Sequence, residues 1–164
     1  MTVVRLLGPP RTLVAEPVRG RKPWALLALL LCTAGPVPRC RAVGMLFPDA
    51  EDPAAALRWT LSRARRAAGG TIRIGGDPLR VEPVPGTVVD VLDVLAGRRP
   101  AGWPLDEATL PLLEGCEPDV PEFAAWLHGR RLDLARAGLR LQEAGSYCSS
   151  TSSASPAGRN PARR

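Results

Sequence analysis

The feature that most constrains this chain is a helix pattern followed at once by a tight hairpin pattern, at residues 52–81. Asp52 followed by Pro53 is a strong helix start, because an aspartate oxygen can accept a free backbone N–H and proline fits the first helical position. The apolar residues that follow are spaced so that they share one helical face: Leu57, Leu61, Ala64 and Ala68. We therefore predict a helix over 53–68 with one buried side.

The side of this helix opposite the apolar stripe is basic. Trp59, Ser62, Arg63 and Arg66 point nearly away from the stripe, and Arg58 and Arg65 flank it. The sequence places no acidic residue between Asp52 and Asp77 that could pair with these arginines. Two interpretations stay open, namely an ordinary solvated surface and a face that binds a polyanion. Trp59 favours a covered face, but the same side chain could instead pack against an N-terminal sheet or the second half of the chain.

A β-hairpin is predicted directly after the helix. The runs 71–74 and 79–81 are strand-like, and Gly75-Gly76-Asp77-Pro78 between them supplies residues that tolerate the positive φ of a tight turn. Arg73 and Arg80 on such a ribbon could reach nucleic-acid phosphates, or they could simply face solvent.

The residues before 52 predict a small sheet and two further helices. Val3–Leu7 and Thr12–Val14 are short strand-like runs separated by Gly8-Pro9-Pro10. A helix over 24–33, with Pro23 in its first turn, is apolar on nearly every face and should be buried. A weaker pattern predicts a second helix over 38–47. The fold class that follows is α+β, with a small N-terminal sheet, three helices and a hairpin, in the order of a winged helix-turn-helix.

Charge and cysteine usage narrow the function classes. Residues 53–85 carry 6 basic and 2 acidic residues, a net charge of +4, whereas residues 86–145 carry 6 and 10, a net charge of −4. The four cysteines show no Cys-x-x-Cys spacing and His128 is the only histidine, so we expect reduced thiols, no metal site and no cofactor. No nucleophile and base stand at a catalytic spacing, which argues against an enzyme. The apolar run 24–31 is too short to span a membrane, and we expect a cytoplasmic protein.

Several separated motifs resemble the OmpR/PhoB-type winged helix of bacterial SARP-family transcriptional activators. They are Arg21-Lys22-x-x-Ala25-Leu-Leu, Leu46-Phe47-Pro48-Asp49, Leu57-Arg-x-x-Leu61-Ser-Arg63-x-Arg65 and the hairpin. The resemblance covers residues 3 to about 83, and it implies that the helix at 53–68 enters the major groove while the hairpin contacts the adjacent groove or backbone. Arg63 and Arg65 match the recognition-helix arginines. The predicted DNA-binding residues are Arg21, Lys22, Arg58, Trp59, Ser62, Arg63, Arg65, Arg66, Arg73 and Arg80.

The second half resembles, more weakly, the opening of the helical bacterial transcriptional activator domain. The motifs are Val88-Val-Asp90-Val91, Leu112-Leu113-Glu114-Gly115 and Pro121-Glu122-Phe123-Ala-Ala-Trp126-Leu. We predict a winged-helix domain at 1–85, a partial helical domain at 86–145 and a disordered Ser-rich tail at 146–164. The partners implied are promoter DNA with repeated sites and RNA polymerase. The alternative is a truncated interaction or dimerisation fragment that holds a partner or a second copy of the chain through an apolar surface at 122–141 and has lost DNA binding.

Overall fold

A three-stranded sheet brings the N-terminus together with the middle of the chain. The structure, a computed structural model, describes residues 2–13, 18–100 and 102–150. Strand β1 (Thr2–Arg5) pairs antiparallel with β2 (Arg11–Thr12), as the sequence predicts, although the predicted end of the second strand at Val14 lies outside the described residues. Strand β5 (Thr87–Val89) pairs parallel with the other side of β1. This third strand was not expected, because its residues resembled the opening of a helical domain.

Three helices follow the first two strands and form the centre of the fold. They are α1 (Arg21–Cys32), α2 (Arg39–Leu46) and α3 (Pro53–Ala67). Every residue of α1 from Trp24 to Cys32 is buried, which confirms the prediction made from its uniformly apolar faces. The predicted start of α3 is also confirmed, because the Asp52 carboxylate accepts the N–H of Ala55 at 2.8 Å.

The predicted hairpin is confirmed, with its strands shifted by one or two residues. Strands β3 (Ile72–Gly75) and β4 (Arg80–Pro83) are antiparallel, with Arg73 opposite Glu82 and Gly75 opposite Arg80. The turn needs glycine at Gly76, since its φ is 88° and an added Cβ would lie 2.9 Å from the carbonyl oxygen of Pro78.

The second half consists of helices that pack on the first half. Helix α4 (Asp90–Leu95) follows β5 directly, a 3₁₀ helix covers Leu105–Thr109, and α5 spans Pro121–Ser150. At Gly138 the backbone of α5 comes so close to the 3₁₀ helix that an added Cβ would lie 2.4 Å from the carbonyl oxygen of Ala108. Helix α5 continues through Ser150, five residues into the segment predicted as a disordered tail, and residues 151–164 lie outside the described part of the chain.

One hydrophobic core spans both halves. It runs from Val4 in β1 to Ala137 in α5 and includes all of the apolar side of α3. Arg5 in β1 also contacts the second half, because its guanidinium lies 2.9 Å from the Glu107 carboxylate and 4.0 Å from the centre of the Trp103 ring. Residues on both sides of position 85 therefore share one sheet and one core. Within the described ranges no helix is long and apolar enough to cross a membrane.

Candidate nucleic-acid interface

A row of polar side chains lies along the solvent side of α3. Arg58, Ser62 and Arg66 are spaced four residues apart and all are exposed, while Leu57 and Leu61 on the other side are buried. Residues four apart in a helix lie one above the other, so these three side chains form one continuous ridge. Helix α3 therefore has one buried apolar side and one exposed polar side, as predicted.

Trp59 lies beside this ridge and is largely uncovered. Trp59 is 61% exposed, so neither the N-terminal sheet nor the second half of the chain, the two alternatives that the sequence left open, covers it. The Arg63 guanidinium lies 4.5 Å from the centre of its ring. A large aromatic face that stays in water is available to a binding partner.

Two arginines that were predicted to read bases are held by the protein itself. Arg63 donates a hydrogen bond to the backbone carbonyl of Arg19, in addition to its contact with Trp59. Arg65 donates from Nε and from a terminal nitrogen to the carbonyl of Ile74 in β3, at 3.0 and 2.9 Å. Arg65 thus connects the hairpin to α3, a role that the sequence pattern did not reveal.

The hairpin presents two arginines on one exposed face. Residues opposite each other in an antiparallel pair share a face, so Arg73, Arg80 and Glu82 lie on the same side, with Gly75 leaving a gap opposite Arg80. Arg39, a residue not singled out from the sequence, donates to the carbonyl of Gly76 at 3.2 Å and so connects α2 to the turn. Contacts from two helices therefore fix the hairpin in place.

Arg21 and Lys22 lie at the start of α1 and both have contacts within the chain. Arg21 donates to the carbonyl of Glu117 at 3.2 Å, and the Lys22 ammonium lies 4.5 Å from the centre of the Phe47 ring. The Arg21 side chain remains exposed and that of Lys22 is half-buried. Each can shift toward an external anion only by weakening an internal contact.

The arginines of the α3 ridge and the hairpin face form no ion pair in the described part of the chain, although Glu82 lies opposite Arg73. Within the described ranges the ion pairs join Arg5, Arg39, Arg98, Arg130 and Arg131 to carboxylates, and none involves Arg58, Arg66, Arg73 or Arg80. Uncompensated cations attract polyanions and favour phosphate contacts over long range. The site can therefore bind an anionic backbone.

A buried carboxyl that sequence reasoning missed lies where β5 meets α4. Asp90 is fully buried and accepts the N–H groups of Leu6 and Leu7, each at 2.7 Å, as well as its neighbour Val91. Burial raises the pKa of Asp90 to about 6, although these three N–H groups favour the charged form. The signal in the sequence was one acidic residue inside the apolar run 88–91. Asp90 connects β1 to α4 and is a structural residue, not part of the basic surface.

The far side of α5 carries a second kind of surface. Leu132 is 46% exposed and Leu139 is 53% exposed, and their spacing of seven residues places both on the side of the helix that faces away from the core. Leu134 lies within the apolar surface predicted at 122–141 but is buried. Ala135 and Leu141, in the same range, are half-buried. The uncovered apolar area is therefore narrower than the sequence predicted.

Comparison of the chain with protein-family models, with curated proteins and with solved structures found no match in any of the three. Among the described residues, no three His, Cys, Asp or Glu side chains are grouped so that they could hold a metal ion.

Proposed function

We propose that this protein is a sequence-specific DNA-binding transcriptional regulator in which residues 2–83 act as a winged helix-turn-helix. In this proposal α3 enters the major groove and the β3–β4 hairpin acts as the wing on the adjacent groove or backbone. The observation that carries the proposal is the ridge of Arg58, Ser62 and Arg66, which is exposed, lies beside an exposed Trp59 and has no ion pair within the described part of the chain. By the resemblance given above, the regulated step is recruitment of RNA polymerase at promoters with repeated sites.

The dimensions of the ridge suit a groove. Arg66 lies eight positions after Arg58, which corresponds to about 12 Å along a helix axis. That length spans three to four base pairs at about 3.4 Å each, and the major groove is about 12 Å wide and admits a helix. Arginine recognises guanine by paired hydrogen bonds, a serine hydroxyl can bond to several bases, and an apolar ring can contact a thymine methyl group. The ridge and Trp59 supply all three kinds of group.

The remaining basic residues would position the domain. Arg73 and Arg80 would contact phosphates from the wing, and Arg21 and Lys22 would do so from the start of α1. We assign Arg65 to positioning, because its hydrogen bonds to Ile74 set the angle between helix and wing. Arg63 would act through Trp59, whose ring it covers.

Fluorescence anisotropy with labelled direct-repeat promoter DNA and a scrambled duplex tests this proposal. The double variant Arg58→Met and Arg66→Met should bind the repeat about 100-fold more weakly and lose most of its preference over the scrambled duplex, since each base-reading arginine contributes about 1–3 kcal/mol. The control with the same loss of charge is Arg136→Met with Arg140→Met, two exposed arginines on α5. If both double variants bind DNA like the parent, α3 is not the recognition helix.

A second candidate function is self-association through α5, which the exposed Leu132 and Leu139 favour. Association through apolar area should persist at high salt, whereas phosphate-driven DNA binding weakens steeply. Light scattering after size exclusion, at low and high salt, should show a dimer that Leu132→Gln with Leu139→Gln dissociates. The control is Leu95→Gln with Leu110→Gln, exposed leucines elsewhere on the surface. A monomer at all salt concentrations would rule this function out.

A further inference from the structure

A cavity lies between the end of α1, the wing strand β4 and helix α4. Its volume is about 280 Å³, and its walls are largely apolar, with Leu30 and Leu31 from α1, Pro36 from the following loop and Leu92 from α4. Cavities that bind small molecules are mostly apolar and carry a few polar groups that orient the ligand. Besides the carboxylate of Glu82, the residues that line this cavity offer three such groups.

The first polar group is the hydroxyl of Thr33, which follows the last residue of α1. Its oxygen is shielded from water and has no hydrogen-bond partner among the described residues. Leaving a buried hydroxyl without a partner costs about 1–3 kcal/mol. A ligand that bonds to this oxygen would recover that cost.

The second polar group is the free edge of β4 at Val81. The backbone groups of successive residues in a strand point to opposite edges. The N–H of Val84, just after β4, bonds to the carbonyl of Thr71 at 2.8 Å. The backbone groups of Glu82 and Arg80 therefore also point toward β3. Leu79 is on the opposite edge and exchanges two hydrogen bonds with Val37 there, at 2.8 and 2.9 Å. Val81 has the same parity as Leu79, so its N–H and carbonyl lie on that edge, where no described residue bonds to them, and Val81 is one of the residues that line the cavity.

The third polar group is the guanidinium of Arg80, another of the residues that line the cavity. Glu82 also borders the cavity, but it lies opposite Arg73 in the hairpin. Arg80 lies opposite Gly75 instead, and it has no ion pair in the described part of the chain. Arginine binds carboxylates through paired, charge-assisted hydrogen bonds. A carboxylate at this point would find an unused cation.

We propose that this cavity binds a small monocarboxylic acid with an apolar body, and that the bound acid weakens DNA binding. The apolar body would lie among Leu30, Leu31 and Leu92, the carboxylate would bind Arg80, and Thr33 and Val81 would supply further hydrogen bonds. The effect on DNA rests on the proposed function, because Arg80 is one of the wing residues assigned to a phosphate. The acid would occupy that guanidinium and neutralise its charge.

Isothermal titration of the full chain with octanoate, and with octanamide as its uncharged analogue, tests the site without DNA. Octanoate should bind at least about tenfold more tightly than octanamide, in keeping with a charged hydrogen bond. Arg80→Met should abolish this preference, whereas Arg73→Met, on the same face of the wing but not lining the cavity, should preserve it. Absence of octanoate binding, or equal losses in the two variants, would overturn the proposal.

Two further measurements separate this site from the rest of the chain. Leu92→Trp should fill the cavity and remove binding of both compounds, and Thr33→Val, which keeps the side-chain shape, should weaken both about fivefold or more. Binding that is unchanged in both variants would show that octanoate lies elsewhere.

Fluorescence anisotropy then measures promoter DNA binding with and without octanoate. The affinity of the parent for DNA should fall when octanoate is added, while that of Arg80→Met should not. If the parent binds no promoter DNA at all, the proposed function fails while the ligand site is still judged by titration alone.

Discussion

Replacement of the buried Asp90 by asparagine should change how the stability of the protein depends on pH. The carboxyl is fully buried, and burial raises its pKa in the folded protein from 3.8 to about 6. The folded state therefore holds a proton that the unfolded state releases between these two values. The stabilising contribution of this group is complete below about pH 4 and is lost as the pH rises through about 6. A difference of this size corresponds to ~3 kcal/mol.

Asparagine removes the titration and keeps most of the shape. Its oxygen can still accept the N–H groups of Leu6 and Leu7, but its amino group then faces the N–H of Val91, which should cost about 1–2 kcal/mol at every pH. Asp90→Asn should therefore be less stable than the parent at pH 4 and more stable at pH 7.5. The two stability curves should cross in between.

Urea unfolding followed by tryptophan fluorescence, at half-unit steps from pH 4 to pH 8, measures both curves. Only the difference between variant and parent matters, since all other titrating groups are common to the two proteins. Asp119→Asn, an exposed carboxyl in the loop before α5, is the control and should give a curve parallel to that of the parent. If the free energies of unfolding of Asp90→Asn and the parent differ by the same amount at every pH in this range, the pKa of Asp90 is not raised by burial.

Two further predictions concern how the wing and α5 are held. In urea titrations, Arg65→Met should lower the free energy of unfolding by about 1–3 kcal/mol, because it removes two charged hydrogen bonds to the carbonyl of Ile74 in β3. The control Arg66→Met, on the exposed ridge, should change that free energy by no more than about 0.5 kcal/mol. Gly138→Ala should destabilise by about 2 kcal/mol or more, since its Cβ would collide with Ala108, while Gly129→Ala in the same helix meets open space and should stabilise by up to about 1 kcal/mol. Equal effects within either pair would contradict the corresponding contact.

The helix and hairpin at 52–83 were predictable because their signals are local. Asp52 and Pro53 cap and begin α3 through contacts within one helical turn, and the spacing of Leu57 and Leu61 identifies its buried side. The turn at Gly76 requires a positive φ that glycine adopts readily. Each of these features depends on residues within a few positions of one another, so a single sequence carries enough information to place it.

The composition of the candidate site was predictable only in part. The sequence indicated that α3 has a basic face, and the exposed positions of Arg58, Ser62 and Arg66 agree with that. It placed Arg65 on the flank of the helix and Arg66 on the opposite side, but it could not reveal the hydrogen bond of Arg65, because the carbonyl that Arg65 binds belongs to another element. Adjacent arginines on one helix thus have different surroundings for reasons that lie outside the helix.

What the sequence alone determined is where helices and turns begin and which face of each is apolar. The tertiary structure decided what those elements meet. Strand β5 became the parallel partner of β1 although more than eighty residues separate them, and Asp90 became buried because that pairing brings Leu6 and Leu7 onto its carboxylate. Capping and periodicity act over one or two turns, whereas strand pairing and burial depend on the whole folded chain. For the same reason, the cavity beside β4 and the contacts that hold Arg63 and Arg65 emerged only from the packed structure.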